Sequence, residues 1–201
     1  MTHTFSASIA SAALLLAFAQ PSAAAPPMEG EAPAKPTETE ETVAAFGFDL
    51  EVDPTAYVLE GYSLHAGLGW QHFRLDLGAF ALDAPEFLHG NPGFDVSFDG
   101  FGAKLQWFPW DVRSGAFFGV DAAVALLEVE LASGGPSAEQ TQLTAGFNGG
   151  WRFDLPYGLY ATPWVGVAYT FGADDIVLAG KSFESNAVVV FPAVHLGYRF
   201  D

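Results

Sequence analysis

The chain has 201 residues, of which 50% are hydrophobic, 15% aromatic and only 15% charged, whereas soluble domains carry about 25% charged residues. Its 24 acidic and 7 basic residues give a net charge of -17, which disfavours a nucleic-acid partner because phosphate binding needs clustered Lys and Arg. The absence of cysteine excludes disulfides, thiolate metal sites, cysteine nucleophiles and an acylated lipoprotein cysteine.

The first predicted element is a signal peptide over residues 1–25. Residues 9–19 (IASAALLLAFA) form an apolar run of 11 residues, which suits the hydrophobic region of a signal peptide and is too short for a membrane-spanning helix of about 20 residues. Small residues allow cleavage after Ala19 or after Ala24. Residues 26–42 contain four prolines and five glutamates, a composition that predicts an acidic, disordered linker.

From residue 43 onward, apolar and polar residues alternate, which is the period of a strand with two unlike faces. Leu75 and Leu77, for example, share one face of a strand whose other face carries Arg74 and Asp76. Most of these segments reach the ~9 to 11 residues that a tilted strand needs to cross a bilayer. The eight predicted strands are residues 43–52, 61–70, 72–82, 96–108, 115–131, 139–153, 158–171 and 188–200.

The predicted connections alternate in length along the chain. The short ones are residues 71, 109–114 and 154–157, and the longer ones are 53–60, 83–95, 132–138 and 172–187. Short periplasmic turns and long external loops fall on opposite sides of an up-and-down barrel in the same way. The sequence therefore predicts an all-β domain over residues 43–201, an eight-stranded antiparallel up-and-down transmembrane β-barrel.

The aromatic residues favour a membrane barrel over a soluble, lipocalin-like barrel with an apolar interior. Four of the five tryptophans lie beside the predicted short turns, where amphipathic rings form a girdle at a membrane interface. A soluble barrel would also need a polar outer face, for which seven cations are few. The predicted girdle consists of Trp70, Trp107, Trp110, Trp151 and Tyr198.

In a membrane barrel, the polar strand faces point into the lumen. Charges inside a protein must be paired or solvated, so the sequence predicts an ion-pair network. Its predicted members are Asp49, Glu51, Arg74, Asp76, Lys104, Asp121, Arg152 and Arg199, with Glu128 and Glu130 as further partners. Because an eight-stranded barrel is just wide enough inside to be filled by side chains, the network would plug the lumen.

Two features predict irregular strands. Pro163 and Pro192 fall inside predicted strands, where each removes a backbone donor, so bulges or irregular pairing are expected there. Asp121 cannot share a face with Glu128 and Glu130 unless a bulge separates them in the fifth strand.

The last predicted strand, VVVFPAVHLGYRF, resembles the C-terminal signature of bacterial outer-membrane barrels, with alternating apolar residues followed by Tyr198 and Phe200. In that family the terminal aromatic is part of the signal read by the barrel-assembly machinery, and the resemblance implies this role for Tyr198 and Phe200, although Asp201 follows them here. Residues 43–201 are similar in layout to the small OmpA/OmpX-type barrels. The resemblance implies export through the periplasm to the outer membrane of a Gram-negative bacterium, with outer-membrane lipid and the barrel-assembly machinery as partners.

Three functions stay open at this point. A non-enzymatic structural or surface-interaction barrel is favoured, with loops 83–95 and 172–187 projecting outward. The apolar loop residues either bind a surface partner or extend the barrel above the membrane, and extension is preferred because scattered exposed apolar residues are ordinary. These residues are Phe87, Leu88, Phe94, Ile176, Val177 and Leu178. The alternative is a narrow channel or small-molecule transporter in which the inward charges select the solute.

The third function, an outer-membrane enzyme acting on lipid A or peptides, is disfavoured. Such chemistry needs a nucleophile and a base within hydrogen-bond reach, and the sequence shows no convincing set. His65 and His195 are interpreted as hydrogen-bonded fillers of the lumen. No cofactor or metal site is predicted, since the acidic pairs Asp174, Asp175 and Asp95, Asp99 lack the spacing of a calcium loop.

Overall fold

The computed structural model describes residues 46–200, all within the unit that spans residues 43–201. The predicted signal peptide and linker, residues 43–45 and Asp201 lie outside the described residues. Eight strands form one closed antiparallel barrel in up-and-down order, which confirms the predicted fold class. They are β1 (Phe46–Val52), β2 (Tyr62–Trp70), β3 (Phe73–Ala84), β4 (Phe94–Trp107), β5 (Gly115–Leu131), β6 (Ser137–Asp154), β7 (Leu159–Phe171) and β10 (Val188–Phe200).

Short elements occupy the connections between these strands. Helix α1 (Pro54–Val58) begins after Asp53, whose side chain accepts a hydrogen bond of 2.9 Å from the Thr55 amide, as expected of an aspartate N-cap. Helix α2 (Glu86–His89) follows β3, and strands β8 (Ile176–Leu178) and β9 (Lys181–Phe183) form a hairpin within the last long loop. None of the helices between residues 46 and 200 has the length and apolarity that a membrane crossing requires.

The connections sort to opposite ends of the barrel, as predicted. The short-turn end carries residues 71–72, 108–114 and 155–158, and the long-loop end carries 53–61, 85–93, 132–136 and 172–187. The connection at 132–136 is shorter than the turn at 108–114, contrary to the prediction. The reason is that β5 and β6 continue to pair as far as Glu130 and Ser137, which leaves few residues for the loop.

The two prolines do not introduce bulges between β7 and β10, which pair continuously through Pro163 and Pro192. On the other side of β10, the pairing with β1 ends at Leu196, so Pro192 lies where this ladder is interrupted and irregular pairing is confirmed there. The β6–β7 pairing likewise stops at Trp164 and resumes at Ala161, so irregular pairing is also confirmed on this edge of Pro163.

β5 has no bulge, because its pairing with β4 and β6 is continuous. Asp121 points inward and is partly buried, whereas Glu128 and Glu130 are exposed on the outer face. The inward positions beside them are occupied by the buried Leu127 and Val129. The expectation that Glu128 and Glu130 serve as lumenal partners is therefore wrong.

The outer surface of the barrel changes polarity at one level of β4, β5 and β6. Phe101, Val124 and Leu143 are cross-strand neighbours on the outer face and are exposed. Four residues farther along each strand toward the long-loop end, the same face carries Ser97, Glu128 and Glu139. From Leu143 to Phe153, β6 rises about 25 Å along the barrel axis at ~3.3 Å per residue and a tilt of roughly 40°, which is the height of the apolar band of outer-membrane barrels.

The inner surface changes polarity in the opposite sense. Above the apolar band, β4 and β5 point apolar residues inward, and the β8–β9 hairpin adds two more. Together they form a buried cluster, called the loop-end cap here: Phe94, Val96, Leu127, Val129, Leu131, Leu178 and Phe183. Asn91 fastens the hairpin by donating from Nδ2 to the Glu184 carbonyl (3.1 Å) and accepting at Oδ1 from the Glu184 amide (2.8 Å).

Three of the apolar loop residues belong to the loop-end cap or pack against it. Phe94 and Leu178 are buried in the cap, and Ile176 packs against it, so these residues extend the barrel as preferred from the sequence. Phe87 and Val177, in contrast, stay 71% and 68% exposed.

Candidate functional site

Arg74 lies at the centre of the charged lumen. Its side chain has no exposed surface, and it donates from Nε and Nη2 to Asp49 Oδ1 (3.0 and 2.6 Å). From Nη1 it donates to Asp76 Oδ2 (2.9 Å) and to Gln106 Oε1 (3.0 Å), and Nη2 lies 3.2 Å from Glu51 Oε2. One guanidinium thus joins β1, β3 and β4, with the multiple charge-assisted bonds that stabilise a buried charge.

The sequence permits this approach because β2 offers no side chain between β1 and β3. Gly67 pairs with Asp49 on one side and Asp76 on the other, and a Cβ atom at this position would overlap Asp49 and Arg74. Glycine is therefore required for the guanidinium to cross in front of the β2 backbone.

Arg152 reaches the same carboxylates from the opposite side of the barrel. Its Nη2 donates to Glu51 Oε1 (2.8 Å), and Nη1 lies 3.8 Å from Asp49 Oδ2. The guanidinium carbon is 4.2 Å from the centre of the Tyr160 ring, and the Tyr160 hydroxyl donates to Asp49 Oδ1 (2.8 Å). The tyrosine therefore adds a cation–π contact and a hydrogen bond to the ion pair.

Two histidines occupy the layer of the lumen next to these ion pairs. His65 Nδ1 is 2.8 Å from Asp76 Oδ1, and His195 Nδ1 is 3.0 Å from Glu51 Oε2. The two rings lie 4.7 Å apart. Lys104 Nζ is 3.4 Å from both Asp76 Oδ2 and His65 Nδ1. The histidines are hydrogen-bonded within the lumen, as interpreted from the sequence.

The structure brings together six of the predicted charged residues, which are called the lumenal network here: Asp49, Glu51, Arg74, Asp76, Lys104 and Arg152. The other two predicted members lie outside it. Asp121 points inward but accepts from Asn148 Nδ2 (3.0 Å). Arg199 donates to the Arg113 carbonyl (2.9 Å) and to Asp154 Oδ1 (3.1 Å). The prediction that Arg199 belongs to the network is therefore wrong, because its carboxylate partner is Asp154 at the short-turn end.

The predicted girdle residues lie near the short-turn end, with their side chains exposed. Trp70, Trp107, Trp151 and Tyr198 point outward from their strands, and Trp110 lies in the turn between β4 and β5. The predicted assembly-signal residues, Tyr198 and Phe200, both point outward, and the Phe200 ring lies 5.5 Å from that of Phe48 on β1. Phe200 thus contacts the strand that closes the barrel.

The charged part of the lumen contains three further residues that are outside the predicted network. Alternation puts Gln106 on the same inward face as Lys104, and Tyr160, which was missed, shares the inward parity of Thr162. Arg113 lies in a turn, where alternation gives no direction. It is buried, and its guanidinium occupies the space that a Cβ atom at Gly47 would need.

The geometry also bears on metal binding. Ligand atoms of Glu51, Asp76 and His195 lie within 4.8 Å of one another, close enough to surround a metal ion. The three carboxylates of the lumenal network are nevertheless balanced by its three cations, and the oxygens of Glu51 and Asp76 already accept hydrogen bonds. A divalent ion would have to displace Arg74 or Lys104 and leave a buried charge unpaired. The arrangement favours an ion-paired plug over a metal centre.

Comparisons with known proteins concern the fold. No family model matches the chain, and no curated protein matches it. Among solved structures, the chain is similar to Neisserial surface protein A (NspA), with 15% identity, 78% of this chain and 96% of that chain covered, and a TM-score of 0.47. It is also similar to the β domain of the Bordetella autotransporter BrkA, with 15% identity, 78% and 99% covered, and a TM-score of 0.34. A closed antiparallel barrel with an apolar outer band and a charged lumen has the outer-membrane β-barrel fold.

Proposed function

We propose that this chain is a non-enzymatic structural or surface-interaction protein of the outer membrane of a Gram-negative bacterium, with the long-loop end facing the cell exterior. The observation that carries the proposal is the position of Arg74, which is fully buried and bridges carboxylates on β1 and β3 inside the barrel. A lumen closed in this way at one level and by the loop-end cap at another is suited to a scaffold rather than a pore.

Two features support a role that does not involve catalysis. Ser63 Oγ accepts a hydrogen bond from the Asp53 amide (3.2 Å), and His65 Nδ1 is held by Asp76. No hydrogen bond joins Ser63 Oγ to His65 within residues 46–200, so the two side chains do not form the paired nucleophile and base that acyl transfer or hydrolysis would need. We also propose that Trp70, Trp107, Trp110, Trp151 and Tyr198 contact lipid at the periplasmic interface.

The absence of cysteine permits a direct test of this placement. Ser182→Cys places one thiol on the exposed β8–β9 hairpin, and Asp111→Cys places one in the exposed turn at the opposite end. Intact cells are treated with a membrane-impermeant maleimide, and a heat-dependent shift on a gel verifies that each variant is folded. Labelling of Ser182→Cys alone in the outer-membrane fraction is expected.

Lysed cells provide the control, because both thiols should then be labelled. Labelling of Asp111→Cys alone in intact cells would reverse the proposed orientation. Recovery of the folded barrel in the soluble or inner-membrane fraction would contradict the location.

A further inference from the structure

The barrel wall is incomplete along one edge of β10. This strand pairs with β7 from Val188 to Tyr198, but it pairs with β1 only from Leu196 to Phe200. Helix α1 packs against β10 and β2 where further β1 residues would otherwise lie. Within residues 46–200, no backbone hydrogen bond joins α1 to β10. Residues 188–195 therefore lack a strand partner on the β1 side.

This edge lies at the depth of the apolar band. Val190 pairs with Val167, which pairs with the outward-facing Phe147 of β6, near the middle of the band between Leu143 and Phe153. An open sheet edge at membrane depth is tolerated only where it is buried in protein or lines a cavity. Both conditions apply to β10, because α1 packs against it and two inward side chains of the edge, Val189 and Phe191, are exposed.

The inward residues of this edge are accessible. Val189 and Phe191 have the same inward parity as Ala193 and His195, which are buried. Val189 is nevertheless 41% exposed and Phe191 37% exposed. There is consequently open space in front of these two side chains.

Much of the rest of the inner wall at this level is formed by small residues, although Phe80 of β3 also points inward and its ring lies beside Gly102. On β4, Gly102 and Gly100 lie between Lys104 of the lumenal network and the loop-end cap, and on β5 the matching positions are Ala123 and Ala125. An eight-stranded barrel is just wide enough inside to be filled by side chains or to hold one small ligand. Gly102, Ala123 and Ala125 are partly exposed although they point inward, so there is open space between the network and the cap, called the chamber here. Gly146 and Ala168 also line it, whereas the His65 ring covers Gly78 and the Trp164 ring covers Gly166.

The floor of the chamber offers hydrogen-bond donors without protein acceptors. Trp164 Nε1 and Thr162 Oγ1 are buried and have no hydrogen-bond partner among the described residues. Lys104 Nζ lies 5.0 Å from the centre of the Trp164 ring, and its contacts with Asp76 and His65 are both 3.4 Å long. A carboxylate at this position would accept a hydrogen bond from the indole N–H and share the Lys104 ammonium group with Asp76.

We propose that the chamber binds one free fatty acid, which enters from the outer leaflet through the open edge of β10. Its carboxylate lies beside Lys104 and Trp164, and its hydrocarbon chain lies along Phe191 and Val189. The Phe191 and Trp164 rings are 5.9 Å apart, so an apolar wall continues from the edge to the floor. The narrow lumen favours a single chain over a diacyl lipid. This proposal rests on the membrane placement proposed above.

Bromine quenching of tryptophan fluorescence can test the site, because bromine quenches only at close contact. One variant keeps Trp164 and carries the substitutions Trp70→Phe, Trp107→Phe, Trp110→Phe and Trp151→Phe. A reference variant keeps only Trp107, which faces outward near the short-turn end. Both are folded into phosphatidylcholine vesicles and titrated with 12-bromododecanoic acid. Quenching of Trp164 should saturate, whereas quenching of Trp107 should rise in proportion to the probe in the bilayer.

Two matched substitutions in the Trp164 variant test the chamber itself. Ala123→Phe fills it from the inner face of β5, whereas Ala122→Phe adds the same ring on the outer face. The first should abolish the saturable quenching, and the second should preserve it. Ala125→Leu, also inward-facing, replaces Ala123→Phe if that variant does not fold.

The alternative outcomes are distinguishable. A folded, membrane-inserted barrel whose Trp164 shows no saturable phase overturns the fatty-acid site and leaves the proposed function intact. Saturable quenching by a chain-brominated phosphatidylcholine at trace level overturns the choice of a free fatty acid. A wild-type chain that folds but does not insert into vesicles overturns both proposals, since the edge of β10 would then not face lipid.

Discussion

Arg74 Nη2 lies 2.6 Å from Asp49 Oδ1, and neither side chain is more than 3% exposed. The two residues are on β3 and β1, which are separated by β2, so the ion pair reaches across a whole strand of the barrel wall. The packing of the strands in the barrel wall therefore depends on the charges in the lumen remaining paired. Removing one partner leaves the other charge buried and uncompensated.

Replacing Arg74 tests this dependence. Arg74→Leu should lower the free energy of unfolding by about 3–5 kcal/mol, because Asp49, Glu51 and Asp76 lose their shared cation. Urea unfolding of the barrel in vesicles, followed by tryptophan fluorescence, measures the change. Arg199→Leu is the control and should cost about 0–1 kcal/mol, because its carboxylate partner Asp154 is 48% exposed. Equal losses in the two variants would contradict a structural role for the lumenal network.

The position of the apolar band can be tested on one strand. Phe147 is 73% exposed on the outer face near the middle of the band, whereas Thr141 has the same parity beyond its edge. Phe147→Lys should destabilise the inserted barrel by about 2–4 kcal/mol and Thr141→Lys by about 0–1 kcal/mol. The same unfolding measurement applies. A larger cost at Thr141 would shift the membrane boundary toward the loops.

Asn91 should control how firmly the β8–β9 hairpin is held. Asn91→Ala removes both hydrogen bonds to the Glu184 backbone, and lost bonds to buried groups cost about 1–3 kcal/mol. Limited proteolysis should therefore cleave residues 172–187 faster in this variant, while the barrel itself stays protected. Ser185→Ala, which removes an exposed hydrogen bond in the same loop, should leave the rate nearly unchanged. Equal rates in both variants would show that the hairpin does not depend on Asn91.

The loop at α2 should loosen in acid. Burial lowers the pKa of His89 from its usual 6.5, although the nearby Glu86 and Asp95 oppose the shift. The neutral ring accepts a hydrogen bond at Nδ1 from the Asn91 amide (3.2 Å). Because the folded-state pKa is depressed, this stabilisation is complete above pH 6.5 and is lost as the pH falls through the folded-state value. Hydrogen exchange at the Asn91 amide, corrected for its intrinsic pH dependence, should accelerate in that range. The His89→Gln variant should show no such change.

The assembly role proposed for Phe200 can be separated from its packing. Phe48→Ala and Phe200→Ala both remove the ring contact between these residues and should have similar effects on stability in vesicles. If the barrel-assembly machinery reads Phe200, only Phe200→Ala should lower the yield of folded barrel in cells. A similar yield for both variants would reduce Phe200 to a packing role.

Alternation along the strands was sufficient to predict the barrel and most of its lumenal charges. Arg74, Asp76, Lys104 and Arg152 all point inward, as their parity required. Parity alone could not predict the partner of Arg199, because the nearest carboxylate depends on which turn approaches β10. Helix α1 was missed as well, although Asp53 followed by Pro54 is a helix-start signal.

The orientation of Glu128 and Glu130 shows a second limit of sequence reasoning. A strand that leaves the membrane keeps its period of two, but water replaces lipid outside it, so its polar residues turn outward and its apolar residues form a core. The period is identical on both sides of this boundary. Only the position of the boundary, which depends on neighbouring strands, determines which face is the inner one.

The most direct test of a closed lumen is single-channel conductance of the wild-type protein in a planar bilayer, after a heat-dependent gel shift has verified folding. With the lumenal network intact below the chamber and the loop-end cap above it, the folded barrel is expected to give no stable current steps. Stable, ion-selective steps that disappear when Arg74 and Arg152 are neutralised would contradict the scaffold and establish a narrow channel instead.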